Sequence, residues 1–267
     1  LYKFLNNKGY TKDEMVKAGL LIKKSEQKFY DRFRNRIIFP IFNSRGEVLA
    51  FGGRIIDDSI NQPKYLNSPD TMVYDKSDNL YGLNWAKNSM RKSNNAIIME
   101  GYTDVLTAHM HGIKNAVASL GTSLTEKQAK MLKRYVSKIY IAYDSDTAGA
   151  KATLRGLEIL KEEGLNVKVI KLPENTDPDD FIKLRGKEKF LKLKKDSLSL
   201  IEFKVDKIVS DKNLENADDR VSTTHKIVDV LAQINDPIER EVYAKEIAKK
   251  IDLDGDLLYQ EVEKRKD

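Results

Sequence analysis

AIIMEGYTDVLTAHMHGIKNAVASLGTSLTEKQAKMLKRYVSKIYIAYDSDTAGA, residues 96–150, alternates short apolar runs with stretches of helical period, and that alternation decides the fold class. Four runs read as strands: 96–99, 115–119, 138–143 and, a little further on, 167–172. Between them 103–111, 125–135 and 147–163 read as helices, with Gly112 and Gly164 where a left-handed cap ends a helix just before a strand. Strand and helix in regular turn predict a parallel sheet covered by helices.

Upstream of this block, RIIFPIFN (36–43) and VLAFGGRII (48–56) flank the turn SRGE (44–47), which predicts a β-hairpin. Residues 1–30 read as helical and begin without a helix start signal, as in a chain cut mid-domain; 57–95 read as irregular apart from a helix near 83–90. After Gly186 the apolar residues, Leu198, Ile201, Val205 and Ile208 among them, recur three or four apart, so helices are expected to the end, over 218–234, 237–250 and from 254. The expected fold is α/β, with a mixed N-terminal subdomain (1–94), a parallel-sheet domain (95–186) and a helical bundle (187–267).

No apolar run is long enough to cross a bilayer, and the first residues lack the layout of a signal peptide, so a cytoplasmic protein is expected. The absence of cysteine excludes disulfides and thiolate zinc. His109 and His111 stand two apart on an expected helix and point to different sides, and His225 is distant, so a bound metal would need oxygen ligands. The net charge of +6 is uneven: residues 23–54 carry eight Lys/Arg against three Asp/Glu, whereas 187–267 carry seventeen against nineteen. A polyanion would therefore dock on the front part, although an excess this small also suits a merely solvated surface.

In an open α/β sheet, chemistry gathers beyond the carboxyl ends of the strands. Here those positions are acidic: Glu100 and Asp104 after the first strand, Asp144 and Asp146 after the third, and Asp177, Asp179 and Asp180 after the fourth. An extended Asp144-Ser145-Asp146 turns both carboxylates the same way. Seven carboxylates on one rim repel unless a cation sits among them, and hard oxygen ligands suit Mg²⁺ or Mn²⁺ in the open coordination of phosphoryl-transfer sites. For TDPDDF (176–181) helix capping by Asp177, with Pro178 in the first turn, is the alternative; Asp146 or Thr147 could likewise cap the next helix. Glu100 has no helix to cap and asks for a partner or a metal.

At these residues the sequence resembles the Toprim module, with Glu100 at one strand end and Asp144-x-Asp146 at a later one. MEGYTDVLTAHMHGIKNAVASLGTSLT (99–125) and YDSDTAGAKA (143–152), together with YDRFRNRIIFPIFNSRGEVLAFGGRII (30–56), PKYLNSPDT (63–71) and YGLNWA (81–86), narrow the resemblance to the DnaG-type replicative primases. It is strongest over 30–182 and weak in the helical tail. The resemblance implies a DNA-dependent RNA polymerase core that makes short RNA primers on single-stranded DNA. It implies catalytic metal ligands at Glu100, Asp144 and Asp146, with Asp104, Asp177 and Asp179 around a second Mg²⁺ or Mn²⁺ or its outer shell. The ions would activate the growing 3′-hydroxyl and neutralise the incoming ribonucleoside triphosphate.

It also implies a groove for nucleotide phosphates and template at Arg32, Arg34, Arg36, Arg54, Lys64 and Lys76, with Tyr65, Asn67 and the Ser119–Ser123 loop beside it. Unaided, the i, i+2 spacing of Arg32, Arg34 and Arg36 projects them to one side of an extended strand. Tyr30, Phe33 and Phe39 could stack bases but more commonly serve as core; Gly52-Gly53 could admit a phosphate but more commonly shapes a bulge. Family members normally also carry a zinc module and a helicase-contacting domain. Without cysteine the former, and any zinc, is not expected here, and no room for the latter is apparent beyond the bundle, so a monomeric fragment that initiates poorly is expected. The replicative helicase would then be a partner of the full-length protein, and a guanosine tetraphosphate a competing inhibitor. The competing functions are a Toprim nuclease or topoisomerase fragment and a non-catalytic nucleic-acid-binding scaffold.

Overall fold

A computed structural model of the chain describes residues 1–25, 28–57, 59, 62–120, 124–144, 147–210 and 212–266, the side chains of 147–153 excepted. The helical expectation for residues 1–30 is corrected. Two six-residue helices, α1 (Tyr2–Asn7) and α2 (Lys12–Lys17), give way to the antiparallel pair β1 (Leu21–Lys23) and β2 (Phe29–Asp31). A reciprocal capping box opens α2: Glu14 donates its N–H to the Thr11 hydroxyl, and the Glu14 carboxylate accepts the Thr11 N–H at 2.7 Å. Gly19, at φ 69, turns the chain out of the helix where a Cβ would lie 2.6 Å from the Pro69 side chain.

The expected hairpin is present as β3 (Arg36–Phe42) and β4 (Val48–Ile55). The only register shift in this pairing falls between Ile41 and Phe42, so Gly52 and Gly53 do not make a bulge. A third strand, β5 (Tyr65–Asn67), pairs with β4 inside the stretch expected to be irregular; three residues are too few to show an alternation. Arg32, Arg34 and Arg36 do not share a strand. Residues 32–35 form a bend, and Asn35 takes φ 52, which breaks the extended alternation.

A 3₁₀ turn at Lys76–Asp78 and helix α3 (Leu83–Ser93) lead into the main sheet. Its parallel strands are β6 (Asn95–Met99), β7 (Ala116–Ala118), β8 (Lys138–Ile141) and β9 (Asn166–Val169), joined by α4 (Tyr102–Met110), α5 (Glu126–Lys133) and α6 (Thr147–Glu162). Gly112 and Gly164 both take φ 79 at the helix-to-strand junctions, as their positions predict. Helix α7 (Pro178–Lys195) is interrupted at Gly186, where φ is 82. The all-helical expectation past Gly186 is corrected by β10 (Leu198–Ser199), which pairs antiparallel with β9, giving the spatial order β10-β9-β8-β6-β7. On the other side, the backbone of Tyr81 exchanges two hydrogen bonds with Ala118 of β7.

The central β6 and its neighbour β7 are buried on both faces, as a sheet covered on both sides requires, whereas β8 and β9 carry Lys138, Asn166 and Lys168 toward the other edge. Ile97 and Met99 join one core with α4, α7 and the β3–β4 sheet; Ala96 and Ile98 join another with α3, α5 and α6. Helices α8 (Leu200–Ser210), α9 (Ala217–Ala232), α10 (Pro237–Lys250) and α11 (Gly255–Lys266) form a third core, and α8 is shared. Its Ile201 and Val205 face the bundle, while Phe203 enters the core around α6. Among the described residues no helix is long and apolar enough to cross a membrane.

Candidate active site

Strand β6 is buried from Ala96 to Met99, and the chain emerges at Glu100. Its carboxylate accepts the backbone N–H of Asp144 at 3.3 Å, which ties the ends of β6 and β8 together. Asp104, on the first turn of α4, turns back to accept the Gly101 N–H at 2.9 Å and also accepts the Asp179 N–H at 3.3 Å. Asp177 caps α7 by accepting the Asp180 N–H at 2.7 Å, with Pro178 in the first turn, so its capping role is real.

Glu100, Asp104, Asp144 and Asp177 line one cavity of about 270 Å³. Its other wall is Lys64, Tyr65 and Asn67 of the β5 region, with Tyr81, Tyr102 and Leu120 between. Burial pushes the Asp104 carboxyl up to about 7, and the neighbouring charges of Asp144, Asp177 and Asp179 add to the rise against the Gly101 N–H. Such crowding is the electrostatic condition a bound cation relieves. These oxygen donors suit a hard divalent ion, although among the described residues no three of them are grouped so that they could hold one together. Mg²⁺ is commonly held by only one or two carboxylates and completed by water and phosphate.

The remaining expected residues are dispersed. Asp179 accepts from the Thr107 hydroxyl and pairs with Lys183 at 2.7 Å instead of lining the cavity. Asp146 and Gly121, Thr122 and Ser123 lie outside the described residues. Arg32 donates through Nε and Nη2 to the Asn67 carbonyl, and Arg36 donates to the carbonyls of Gly53 and Lys64, so these two guanidiniums bind β5 to its neighbours. Partial burial lowers the pKa of Arg32. Arg34 lies over the Tyr30 ring and Arg54 over Tyr65. Lys76 sits on the 3₁₀ turn against α5, where its carbonyl accepts from Gln128, and is not among the cavity's lining residues. Phe39 is core, stacked on Tyr102 with ring centres 4.9 Å apart. His109 and His111 each bond a backbone carbonyl, Ala116 and Thr107 respectively.

Sequence reasoning missed Tyr102. Gly52 makes room for it, since a Cβ at residue 52 would lie 2.4 Å from the Tyr102 ring. No local pattern announces a contact between a hairpin glycine and a helix residue; adjacency to Glu100 is the only sequence signal.

Comparison with known proteins gives the family. The description "DNA primase catalytic core, N-terminal domain" matches residues 1–87, "Toprim-like" matches 97–182, and "DnaB-helicase binding domain of primase" matches 201–256. The last match amends the expectation that no helicase-contacting segment lies within the chain, because it falls on the bundle itself. The DNA primase of Clostridium acetobutylicum is 46% identical over 260 residues, covering 97% of this chain and 43% of that protein. The chain thus spans less than half the length of the curated relatives it matches. The RNA polymerase domain of Mycobacterium tuberculosis primase DnaG, solved in complex with double-stranded DNA, is 32% identical with a TM-score of 0.82, covering 95% of this chain and 81% of that one. A DNA primase domain from Pseudomonas aeruginosa is 34% identical with a TM-score of 0.73, covering 94% and 79%. This chain belongs to the DnaG-type bacterial DNA primases and corresponds to their RNA polymerase domain.

Proposed function

We propose that the chain is the core that joins ribonucleotides into short RNA on a single-stranded DNA template. The observation that carries this is the pairing of walls in one cavity: Glu100 and Asp144 after β6 and β8, with Asp104 and Asp177 at the starts of α4 and α7, share it with Lys64, Tyr65 and Asn67 of the β5 region. An anionic floor alone would repel a triphosphate, and a cationic wall alone would bind without chemistry.

In this reading Glu100, Asp144 and Asp146 hold the catalytic divalent ion, with Asp104, Asp177 and Asp179 at its margin or around a second. Mg²⁺ or Mn²⁺, when bound, lowers the pKa of the attacking 3′-hydroxyl and offsets charge on the triphosphate. Lys64 supplies a positive charge at the mouth of the cavity, Tyr65 an aromatic face, and Asn67 an oriented amide. The exposed Arg34 and the half-exposed Arg54 border the path of the template, with Lys76 further along it; Arg32 and Arg36 shape that wall. The division at 1–94, 95–186 and 187–267, contact of the bundle with the replicative helicase, a cytoplasmic setting and competition by a guanosine tetraphosphate belong to the same proposal.

The test is a gel that sizes both strands after incubation with a single-stranded oligonucleotide, labelled ribonucleotides and Mn²⁺ or Mg²⁺. Short RNA is expected, reduced at least about a hundredfold by Glu100→Gln or Asp146→Ala, as for loss of a main metal or charge-stabilising group. A shortened template would favour a nuclease. Nucleotide and DNA binding without any product, unchanged by either substitution, would favour a scaffold.

A further inference from the structure

Tyr102 is 5% exposed, two residues past Glu100, and both its ring and its hydroxyl are engaged. Its ring stacks on Phe39 at an interplanar angle of 10° and meets Tyr81 edge-on, with centres 4.7 Å apart. Its hydroxyl donates to Asn67 Oδ1 at 2.7 Å. Asn67 in turn donates from Nδ2 to the Leu120 carbonyl at 3.0 Å. That carbonyl can only accept, which fixes the amide's orientation and leaves Oδ1 facing the tyrosine. The Asn67 backbone carbonyl is held separately by Arg32. Leu120 takes φ 56, a left-handed conformation that a leucine adopts only when its surroundings impose it.

We propose that Tyr102 is a positioning residue: its hydroxyl orients the Asn67 amide and, through that amide, holds Leu120 in the conformation that closes the end of the nucleotide cavity. Asn67 and Leu120 both line that cavity, one on the β5 wall and one after β7. The Asn67 amide keeps one lone pair on Oδ1 and one hydrogen on Nδ2 beyond those two bonds, a donor and an acceptor in fixed relation for a ligand. Gly52 is part of the device, because only a residue without Cβ lets the ring reach Asn67. The reading of the cavity as a nucleotide site underlies the functional half of this proposal; the structural half stands without it.

The experiment compares Tyr102→Phe, Asn67→Ala and the double variant in three measurements. These are affinity for a fluorescent GTP analogue with Mn²⁺, amide exchange at residues 116–120, and thermal midpoint. Tyr102→Phe keeps the ring stack and removes one hydrogen bond. It is expected to weaken nucleotide binding about five- to tenfold and to speed exchange at Leu120, with the midpoint shifted by less than about 3 °C. In the Asn67→Ala background it should add nothing to either effect. Additive losses in binding would mean that the hydroxyl touches the ligand itself, and unchanged exchange at Leu120 would mean that it does not hold that residue; either result overturns the proposal. If the unaltered protein binds no nucleotide, the functional reading of the cavity fails, and amide exchange alone decides whether Tyr102 positions Leu120.

Discussion

Asp177 accepts the Asp180 N–H and also faces the acidic cavity, and one pair of substitutions separates the two roles. Asparagine caps helices as well as aspartate but carries no charge. Asp177→Asn is expected to hold the midpoint within about 2 °C while primer synthesis falls, whereas Asp177→Ala should also lose about 1 kcal/mol of stability in denaturant titration. Asp104 gives a pH signature in the metal-free protein. Its folded pKa, about 7, lies above the ordinary 3.8, so the buried carboxyl costs nothing below the lower value. The cost grows as pH rises between the two values and levels off above about 7. In chelator, the stability of Asp104→Asn relative to the unaltered protein should therefore improve by on the order of 2–4 kcal/mol between about pH 4 and pH 8, on top of a constant cost for the one N–H that the amide cannot accept. Equal pH slopes for both proteins would refute the assignment. The cap at Asp177 was legible in TDPDDF because capping is a contact between near neighbours. The Tyr102–Asn67 bond was not, because it spans 35 residues and leaves no period in either segment.

At the scale of elements, the hairpin, the parallel strands and most of their helices follow from apolar period and glycine caps. The elements that escaped are short: β1, β2, β5 and β10 have two or three residues each, below the length at which alternation can be seen. The bend at 32–35 escaped for another reason. Spacing states which way side chains point only once the backbone is extended, and Asn35 breaks that condition. The close approach of β4 to α4 yields a direct test. Gly52→Ala puts a methyl 2.4 Å from the Tyr102 ring, an overpacking expected to cost about 1–3 kcal/mol. In a Tyr102→Leu background, where the ring is gone, most of that added cost should vanish in denaturant titrations. An undiminished cost would locate the clash elsewhere.

For the whole molecule, α8 joins two cores, with Phe203 in that of the sheet and Ile201 and Val205 in that of the bundle. Two surface ion pairs, Lys171–Asp206 and Lys204–Glu158, span the same junction but contribute little at their exposure. Phe203→Ala should remove about 3–5 kcal/mol, mostly from the coupling between the cores. Calorimetry is then expected to show two transitions where the unaltered chain shows one; a single, uniformly lowered transition would mean that the cores melt together regardless. The sheet itself ends in β10 on one side and in the Tyr81–Ala118 bridge on the other. Both rims thus end in pairings of only one or two residues, which shorten the ladder that a stranger's strand could extend. Parallel strands are slow to assemble and hazardous while exposed, so the two short pairings, the least conspicuous in the fold, fall where an unblunted edge would be most costly.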